Sequence, residues 1–201
     1  MSKPQPPLYF VRHGETDWNK QGLIQGWTDT ALNATGHRQA EAVGRALAGV
    51  AELAEGFRFL VSPLTRARQT MDHIATALGL EPEQVQVEAA VKELGFGVWE
   101  GKPFWELKAS PIYPADAETR YAWRPEGGES YADGHDRLRA WFGGISEPAL
   151  VVAHGAIGRC LIGHLTGLDR RDLVSLAMPQ GKFCRLQAGR VQWFDAVGVA
   201  A

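Results

Sequence analysis

Two short, continuously apolar runs, each followed at once by a His-Gly pair, constrain the fold of this chain most strongly. They occupy residues 8–11 and 149–153. The residues that follow them are Arg12, His13 and Gly14 in the first case and His154 and Gly155 in the second. Apolar runs without polar alternation are typical of strands buried on both faces of a parallel sheet. Because ligands bind beyond the carboxyl ends of such strands, both His-Gly pairs are predicted to lie at one functional edge.

The rest of the chain supplies the other strands of this predicted sheet. Residues 57–61 and 85–91 are each predicted to form a strand, the second near an edge because its polarity is mixed. Residues 183–188 and 191–194 are predicted to form a hairpin, since a tight glycine-containing turn separates two strand-like runs. This hairpin is expected to close one edge of the sheet.

Helical periodicity follows most of the predicted strands. One helix is predicted after Thr35 as N-cap, and another after Ser62 as N-cap with Pro63 at its first position. A third begins after Ser130 and extends to Ile145, and a fourth follows the second His-Gly pair. The alternation predicts an α/β fold, a three-layer α/β/α sandwich with a mostly parallel central sheet and the antiparallel C-terminal hairpin. The length fits a single domain, 1–201.

Residues 102–128 interrupt this pattern and are predicted to form a lid insertion. The segment holds four of the eleven prolines and no sustained periodicity. Its large aromatic residues include Trp105, Tyr113, Tyr121 and Trp123. An aromatic insertion of this kind is typical of a cap that selects substrates.

Composition excludes several classes of function. The net charge of −2 gives no basic field for nucleic acid or for an anionic membrane surface. No apolar segment is long enough for a signal peptide or a membrane span, which predicts a cytoplasmic protein. Cys160 and Cys184 have no metal-binding spacing and are predicted to be buried thiols of a reducing compartment, with a disulfide left open. The GxxxxGK[ST] loop of ATP- and GTP-binding proteins is absent.

Two loops carry the remaining polar candidates. Residues 14–34 form a long connection that is expected to be functional, and it contains Asn19 and Gln25. The glycine-rich loop 92–101 carries Glu93 and Glu100. One of these carboxyl groups is a candidate proton donor, and the alternative is that both accept hydrogen bonds from loop amides.

Arg12, His13, Arg66, Glu93 and His154 are all predicted to follow strands at the same edge. Any one of these short motifs alone would be explained by a turn with a capped histidine. Together they suit a phosphomonoester, because guanidinium groups match the charge that spreads over the phosphoryl oxygens. A neutral imidazole can attack phosphorus when its other nitrogen is held as a donor.

The segments VRHGETDWN, QGWTDTALNATG, SPLTRARQT, KELGFGVWEG, PEGGES and VVAHG occur in this order, and with them the sequence resembles the histidine phosphatase superfamily over residues 8–160. The resemblance implies that His13 is the nucleophile that forms a phosphohistidine and that Glu93 is the general acid. Arg12, Arg66 and His154 would bind the phosphoryl group. Substrate-binding positions implied in the same way are Asn19, Gln25, Gly26 and Gly155. The resemblance also implies that no metal is needed, and we expect no cofactor.

Three functions remain open at this point. The run KELGFGVWEG resembles ELDFGxWEG of the cobalamin-pathway (α-ribazole phosphate) and broad-specificity phosphatases, which favours hydrolysis of a small organic phosphate. A phosphoglycerate mutase-type transfer and an inactive phosphate-binding module are the alternatives, and a homodimer stays open. A second anion site would favour the mutase. Its candidates are Lys102, Lys108, Arg120 and Arg124, which are equally well explained as solvated lid charges.

Overall fold

One six-stranded sheet organises the protein. The structure, a computed structural model, describes residues 6–54, 56–142 and 147–196. The strands are β1 (Leu8–Arg12), β2 (Arg58–Val61), β3 (Val85–Val87), β4 (Ala149–Ala153), β5 (Lys182–Gln187) and β6 (Arg190–Asp195). Their order is β3-β2-β4-β1-β5-β6. The first four are mutually parallel, whereas β5 pairs antiparallel with β1 and β6 antiparallel with β5. The predicted mostly parallel sheet with a C-terminal hairpin at one edge is therefore confirmed.

Helices flank both faces of this sheet. They are α1 (Asp17–Gln21), α2 (Ala34–Ala48), α3 (Thr65–Leu78), α4 (Phe104–Ala109), α5 (Ala117–Ala122), α6 (Tyr131–Phe142), α7 (Gly155–Thr166) and α8 (Arg170–Ser175). Four short 3-10 helices lie at Ala51–Ala54, Pro82–Gln84, Ala89–Val91 and Gly97–Trp99. The sequence patterns did not predict α1 or α8, each of which has six residues or fewer. Of the helix predicted after Ser130, Ile145 lies outside the described residues.

The alternation of side chains along the central strands divides the core into two layers. Tyr9 and Val11 of β1 and Leu150 and Val152 of β4 pack in one cluster with α2 and α3. On the opposite face, Phe10 and its neighbours pack against α6 and α7 in a second cluster. Every residue of β4 is buried, as the continuous apolar run predicted. The two central strands are thus fixed from both faces, which gives the residues that follow them a rigid base.

The beginnings of two helices differ from the prediction. Asn33, not Thr35, caps α2, and its side chain accepts a hydrogen bond from the Gly36 amide at 2.9 Å. The next helix begins at Thr65, and its N-cap residue makes no side-chain hydrogen bond. Asp29, from the long loop, instead accepts from the Thr65 amide at 2.8 Å. A cap supplied from 36 residues away cannot be found by a local capping pattern.

The third predicted strand is shorter than expected. β3 ends at Val87, and Glu88 then caps a 3-10 turn by accepting from the Ala90 amide at 2.9 Å. The apolar residues at the end of the predicted run serve that turn instead, and Val91 is fully buried there. β3 does lie at an edge of the sheet, in agreement with its mixed polarity.

The segment 102–128, which the sequence predicts to be a lid insertion, contains two short helices, α4 and α5. Leu107 of α4 is fully buried in a small cluster with Ile24 and Trp99, and Tyr121 of α5 is also buried. These contacts join the lid to the long loop 14–34 and to the loop 92–101. No helix in residues 6–54, 56–142 or 147–196 has the length and hydropathy needed to cross a bilayer. Cys160 and Cys184 are free and buried, and burial raises the pKa of both thiols.

We expect Gly158→Ala to destabilise the protein by about 1–3 kcal/mol, because an added methyl group overpacks the contact between α7 and β1. A Cβ at this position would overlap the Phe10 ring and lie 2.6 Å from Met178 Cε. Chemical denaturation measures the change in unfolding free energy. In a Phe10→Leu background the same substitution should cost less, because the overlapping ring atoms are gone. An equal cost in both backgrounds would contradict this packing.

Candidate active site

The carboxyl ends of β1, β2 and β4 meet at one cavity of about 260 Å³. The His13 amide donates to the Ala153 carbonyl at 3.0 Å, and the Ser62 amide donates to the Val152 carbonyl at the same distance. These bonds extend the parallel sheet by one residue on each side of β4. Arg12, His13, Arg66, Glu93 and Gly155 line the cavity. The residues predicted from separate strand ends are therefore brought together.

His13 is arranged as a nucleophile. Its side chain is only 2% exposed, and Nδ1 lies 2.8 Å from the Gly14 carbonyl oxygen. Because a carbonyl can only accept, Nδ1 carries the proton and Nε2 keeps its lone pair. Burial, followed by the charges of Arg66 and Arg12, lowers the pKa of His13 well below the ordinary value. The imidazole is thus held neutral in the tautomer that attack on phosphorus requires.

Arg12 presents an incompletely paired guanidinium group to the same cavity. Nη1 donates to the Met178 carbonyl at 2.6 Å, whereas the buried Nε has no hydrogen-bond partner among the residues that the structure describes. Burial lowers the pKa of Arg12 to about 10, although the Glu93 carboxylate acts in the opposite direction. An anion in the cavity would satisfy both the free donor and the charge.

Arg66 is 1% exposed and is held by three hydrogen bonds. Nη1 donates to the Thr28 carbonyl at 3.0 Å and Nη2 to the Gly26 carbonyl at 2.8 Å. The third bond runs from Nε to Nδ1 of His154 at 3.2 Å. Burial lowers the pKa of Arg66 against the opposing effect of the Glu93 carboxylate. Two of its five N–H donors remain for a ligand.

His154 is fully buried, and both of its ring nitrogens have protein partners. Since Nδ1 accepts from Arg66, the proton lies on Nε2, which is 2.6 Å from Ser62 Oγ. The ring centre is 5.1 Å from that of His13. Burial and then the Arg66 charge lower the pKa of His154 well below the ordinary value. Ser62, which the sequence analysis assigned to a helix cap, thus serves the site.

The two loop carboxylates have different positions. Glu93 lines the cavity, and Oε2 accepts one hydrogen bond, from the Ala156 amide at 3.1 Å. Its Oε1 accepts from the amides of Leu94 at 3.0 Å and Ile157 at 2.9 Å. The carboxylate is therefore fixed at the amino end of α7, where the helix dipole favours it.

Glu100 lies outside the cavity and braces the long loop. It accepts from the amides of Trp27 and Thr28, each at 2.8 Å, and from the Phe96 amide at 3.0 Å. Burial alone would raise the pKa of Glu100, but the hydrogen bonds from Thr28, Trp27 and Phe96 lower it below the ordinary value. Both carboxylates thus accept hydrogen bonds from backbone amides, which was the alternative to a proton donor. Of the two, Glu93 is the one that also lines the cavity.

The remaining predicted positions also lie at the cavity. Asn19, Gln25, Gly26 and Gly155 all line it. Gly26 has a positive φ of 55° and approaches the Phe96 amide so closely that a Cβ would lie 2.9 Å from it. An added Cβ at Gly155 would lie 3.7 Å from Arg12 Nε. The oxygens of Asn19 and Gln25 already accept protein hydrogen bonds from Thr16.

Sequence reasoning missed the segment before β5 and one arginine of α7. Gln180 donates to the His13 carbonyl at 3.1 Å and to Asn19 Oδ1 at 2.9 Å, beside the Met178 carbonyl that holds Arg12. Arg159 lines the cavity five residues after His154. Neither carries a strand-end signal, but the spacing of Arg159 from the second His-Gly pair would have placed it one turn along the following helix.

A buried neutral imidazole between two arginines, at the carboxyl edge of a parallel sheet, is suited to a phosphoryl group. In the described part of the chain, no group of three or more His, Cys, Asp or Glu side chains is placed to hold a metal ion. The family model of the histidine phosphatase superfamily (branch 1) matches residues 8–195. The chain therefore belongs to the histidine phosphatase superfamily, as the sequence motifs predicted.

Some of the proteins that resemble the chain are named mutases, and others are named phosphatases. A 2,3-bisphosphoglycerate-dependent phosphoglycerate mutase of Mesorhizobium japonicum is 31% identical over 190 residues, which cover 87% of this chain and 88% of that protein. The structure of a candidate alpha-ribazole-5′-P phosphatase from Escherichia coli has a TM-score of 0.77 and 26% identity, covering 97% of this chain and 99% of that one. The structure of a mycobacterial glucosyl-3-phosphoglycerate phosphatase in complex with VO3 has a TM-score of 0.75 and 27% identity. The match covers 98% of this chain and 100% of that one.

We expect the ligand-free protein to lose stability as the pH falls below about 6.5, the pKa of an unfolded histidine. Because the folded-state pKa values of His13 and His154 are lowered, the unfolded chain takes up protons first. The contribution is complete above that pH and declines below it by about 1.4 kcal/mol per pH unit for each histidine. Urea unfolding between pH 7.5 and 5 measures the slope. His13→Asn should reduce this slope of the unfolding free energy against pH by about 1.4 kcal/mol per pH unit. An unchanged slope would show that His13 is not buried in its neutral form.

Proposed function

We propose that the protein is a metal-independent phosphomonoesterase that acts on a small organic phosphate through a phosphohistidine intermediate. The observation that carries this proposal is the state of His13. Its Nδ1 is fixed as a donor to Gly14, its Nε2 has no hydrogen-bond partner among the described residues, and Arg12 and Arg66 line the same cavity. A nucleophile and the charges that would bind its target are thus present at one point.

In the first step, His13 Nε2 attacks phosphorus in line and the bond from phosphorus to the alcohol oxygen breaks. Arg12 and Arg66 stabilise the charge on the non-bridging oxygens with their remaining donors. His154 also donates a hydrogen bond to a phosphoryl oxygen, because its Nε2 carries the proton. This bond replaces the one between Nε2 and Ser62 Oγ.

Glu93 enters the first step in its protonated form, gives this proton to the leaving alcohol oxygen and becomes the carboxylate of the second step. Its Oε2 accepts a single hydrogen bond, whereas Oε1 accepts two, so Oε2 is the oxygen with capacity for a ligand. In the second step, the Glu93 carboxylate accepts a proton from water, and the water oxygen attacks the phosphohistidine. Inorganic phosphate leaves and His13 is regenerated.

The relatives' names bear on the choice between hydrolysis and transfer. The phosphatase names of the two solved structures support hydrolysis, as does the resemblance of residues 92–101 to phosphatase sequences. The Mesorhizobium relative supports a mutase as the second candidate, in which the phosphohistidine passes its phosphoryl group to another substrate hydroxyl. The complete set of site residues argues against an inactive binding module. Assay of 3-phosphoglycerate with 2,3-bisphosphoglycerate separates the two activities.

The ligand class and location follow from the same proposal. We propose a small-molecule phosphomonoester as substrate, with no nucleic acid or membrane partner and with a homodimer left open. A cytoplasmic location is consistent with two free, buried thiols.

We expect rapid quench during turnover of labelled p-nitrophenyl phosphate to trap acid-labile, alkali-stable phosphate on His13. His13→Ala should lower turnover on the order of a thousandfold or more, because water in the vacated space cannot form the covalent intermediate. Peptide mapping locates the label. Label on another residue, or steady turnover by His13→Ala, overturns the covalent mechanism.

Glu93→Gln should slow alkyl phosphates far more than p-nitrophenyl phosphate, because an alkoxide needs a proton to leave and a nitrophenolate does not. The measurement is kcat/KM for both substrates. Glu100→Gln is the matched control: it should lower stability through the loop amides, without this dependence on the leaving group. If Glu100→Gln shows the dependence and Glu93→Gln does not, the acid is assigned to the wrong carboxylate.

Dialysis against EDTA is expected to leave kcat and KM unchanged, because arginine side chains supply the positive charge that metals provide in other phosphatases. Activity that disappears with the chelator and returns with a divalent cation would contradict the assignment.

A further inference from the structure

A second cavity of about 350 Å³ adjoins the active site beneath the lid. Phe96, Phe104 and Arg159 line both cavities, so the two spaces share a wall. We call the second one the lid cavity. Its other walls come from α4, α5, α6 and α8. The rest of a ligand whose phosphoryl group lies at His13 would reach the lid cavity by passing these three shared residues.

The lid cavity carries cations without carboxylate partners. Lys108, Arg120 and Arg159 line it, and none of the three forms an ion pair within the described part of the chain. The acidic residue in its wall, Glu129, is already paired with Arg137 at 3.1 Å. The cavity thus has an excess of positive charge that the protein does not compensate.

Two other lid cations lie elsewhere. Arg124 donates from Nε to Asp133 at 3.0 Å. Lys102 lies over the Trp99 ring at 4.8 Å, as Lys108 lies over the Phe104 ring at 4.9 Å and Arg120 over the Tyr113 ring at 5.8 Å. Neither Arg124 nor Lys102 lines the lid cavity. Of the four lid cations considered in the sequence analysis, only Lys108 and Arg120 therefore face this space.

Arg159 is fixed in place by two hydrogen bonds. Its Nε donates to the Leu176 carbonyl at 2.7 Å, and Nη1 donates to the Tyr131 hydroxyl at 3.1 Å. Nη2 has no hydrogen bond within residues 6–54, 56–142 and 147–196, so both of its N–H groups are available. An arginine whose position is set by the protein loses little entropy when it binds an anion.

We propose that the lid cavity binds the alcohol part of the phosphomonoester and that this part carries a second anionic group, held by Arg159 with help from Lys108 and Arg120. Aromatic side chains of the cavity, such as Tyr113 and Trp123, pack against the carbon skeleton between the two anions. The proposal rests on the proposed phosphomonoesterase function and narrows its substrate class.

The test compares substrates of matched size that differ in this second charge. One pair is 3-phosphoglycerate and glycerol 3-phosphate, and the other is 4-carboxyphenyl and 4-carbamoylphenyl phosphate. In the wild type, we expect the anionic member of at least one pair to have a kcat/KM at least tenfold higher, mainly through KM. Benzene-1,4-diyl bisphosphate replaces the carboxylate by phosphate and shows which anion is preferred. A ratio near one in both pairs overturns the proposal.

Variants then assign the preference to residues. Arg159→Gln should bring the ratio to within threefold of one, because the loss of kcat/KM is larger for the anionic member of each pair than for the neutral member. Because Arg159 also anchors local structure, the double variant Lys108→Met/Arg120→Met provides a second measure and should reduce the ratio severalfold. Lys102→Met is the matched control and should leave the ratio unchanged. A preference that survives both the Arg159 and the double variant, or an equal loss with anionic and neutral substrates, contradicts the proposal.

The experiments distinguish a failure of the phosphomonoesterase proposal from a failure of the proposed anion site in the lid cavity. If the wild type hydrolyses none of these compounds and not p-nitrophenyl phosphate either, the phosphomonoesterase function is wrong. Calorimetry with His13→Ala then tests the lid cavity without turnover. Tighter binding of 4-carboxyphenyl than of 4-carbamoylphenyl phosphate, abolished by Arg159→Gln, supports the anion site, whereas equal binding or no binding overturns it.

Discussion

The burial of the Arg66 guanidinium group is the constraint on which the active site depends. A buried charge is costly unless hydrogen bonds replace water, and here two loop carbonyls and one imidazole nitrogen do so. Those three acceptors come from the long loop and from the end of β4, while Arg66 itself lies in the first turn of α3. One side chain therefore fixes three segments relative to one another. The site is set before any ligand arrives, which is what electrostatic catalysis requires.

The same requirement explains why the two loops around the site are so fully hydrogen-bonded. The Glu100 carboxylate accepts hydrogen bonds from the amides of residues 27, 28 and 96. These bonds fix the backbone whose carbonyl groups accept from Arg66. Glu93 joins the amino end of α7 to the cavity wall. Asp29 completes the arrangement by capping α3 from the long loop. Each carboxylate replaces solvent at backbone amides of a loop or of the first turn of a helix.

The concentration of positive charge beside two neutral histidines carries a cost in stability. Burial is the main cause that lowers the pKa of Arg12, Arg66, His13 and His154, so charge on any of these groups costs free energy in the folded state. An anion that binds there offsets this cost and stabilises the folded state by mass action. The uncompensated cations of the lid cavity extend the same pattern away from His13. Affinity for a doubly anionic ligand would thus arise from charges that the folded chain alone leaves unpaired.

The sequence by itself determined the central strands, the C-terminal hairpin and the residues that follow β1 and β4. Continuous apolar runs can be satisfied only by burial on both faces, and that requirement is local enough to be visible in the order of residues. The family motifs also placed Arg66 and Glu93 at the site.

Only the tertiary structure decided the hydrogen-bond partners of these site residues. The pairing of His154 with Ser62 joins positions 92 residues apart, and the Met178 carbonyl reaches Arg12 across 166. Partners so distant are chosen by the packing of helices on the sheet, for which no local pattern exists. The position of Arg159 between two cavities was decided in the same way, by the packing of α6 and α8 against α7.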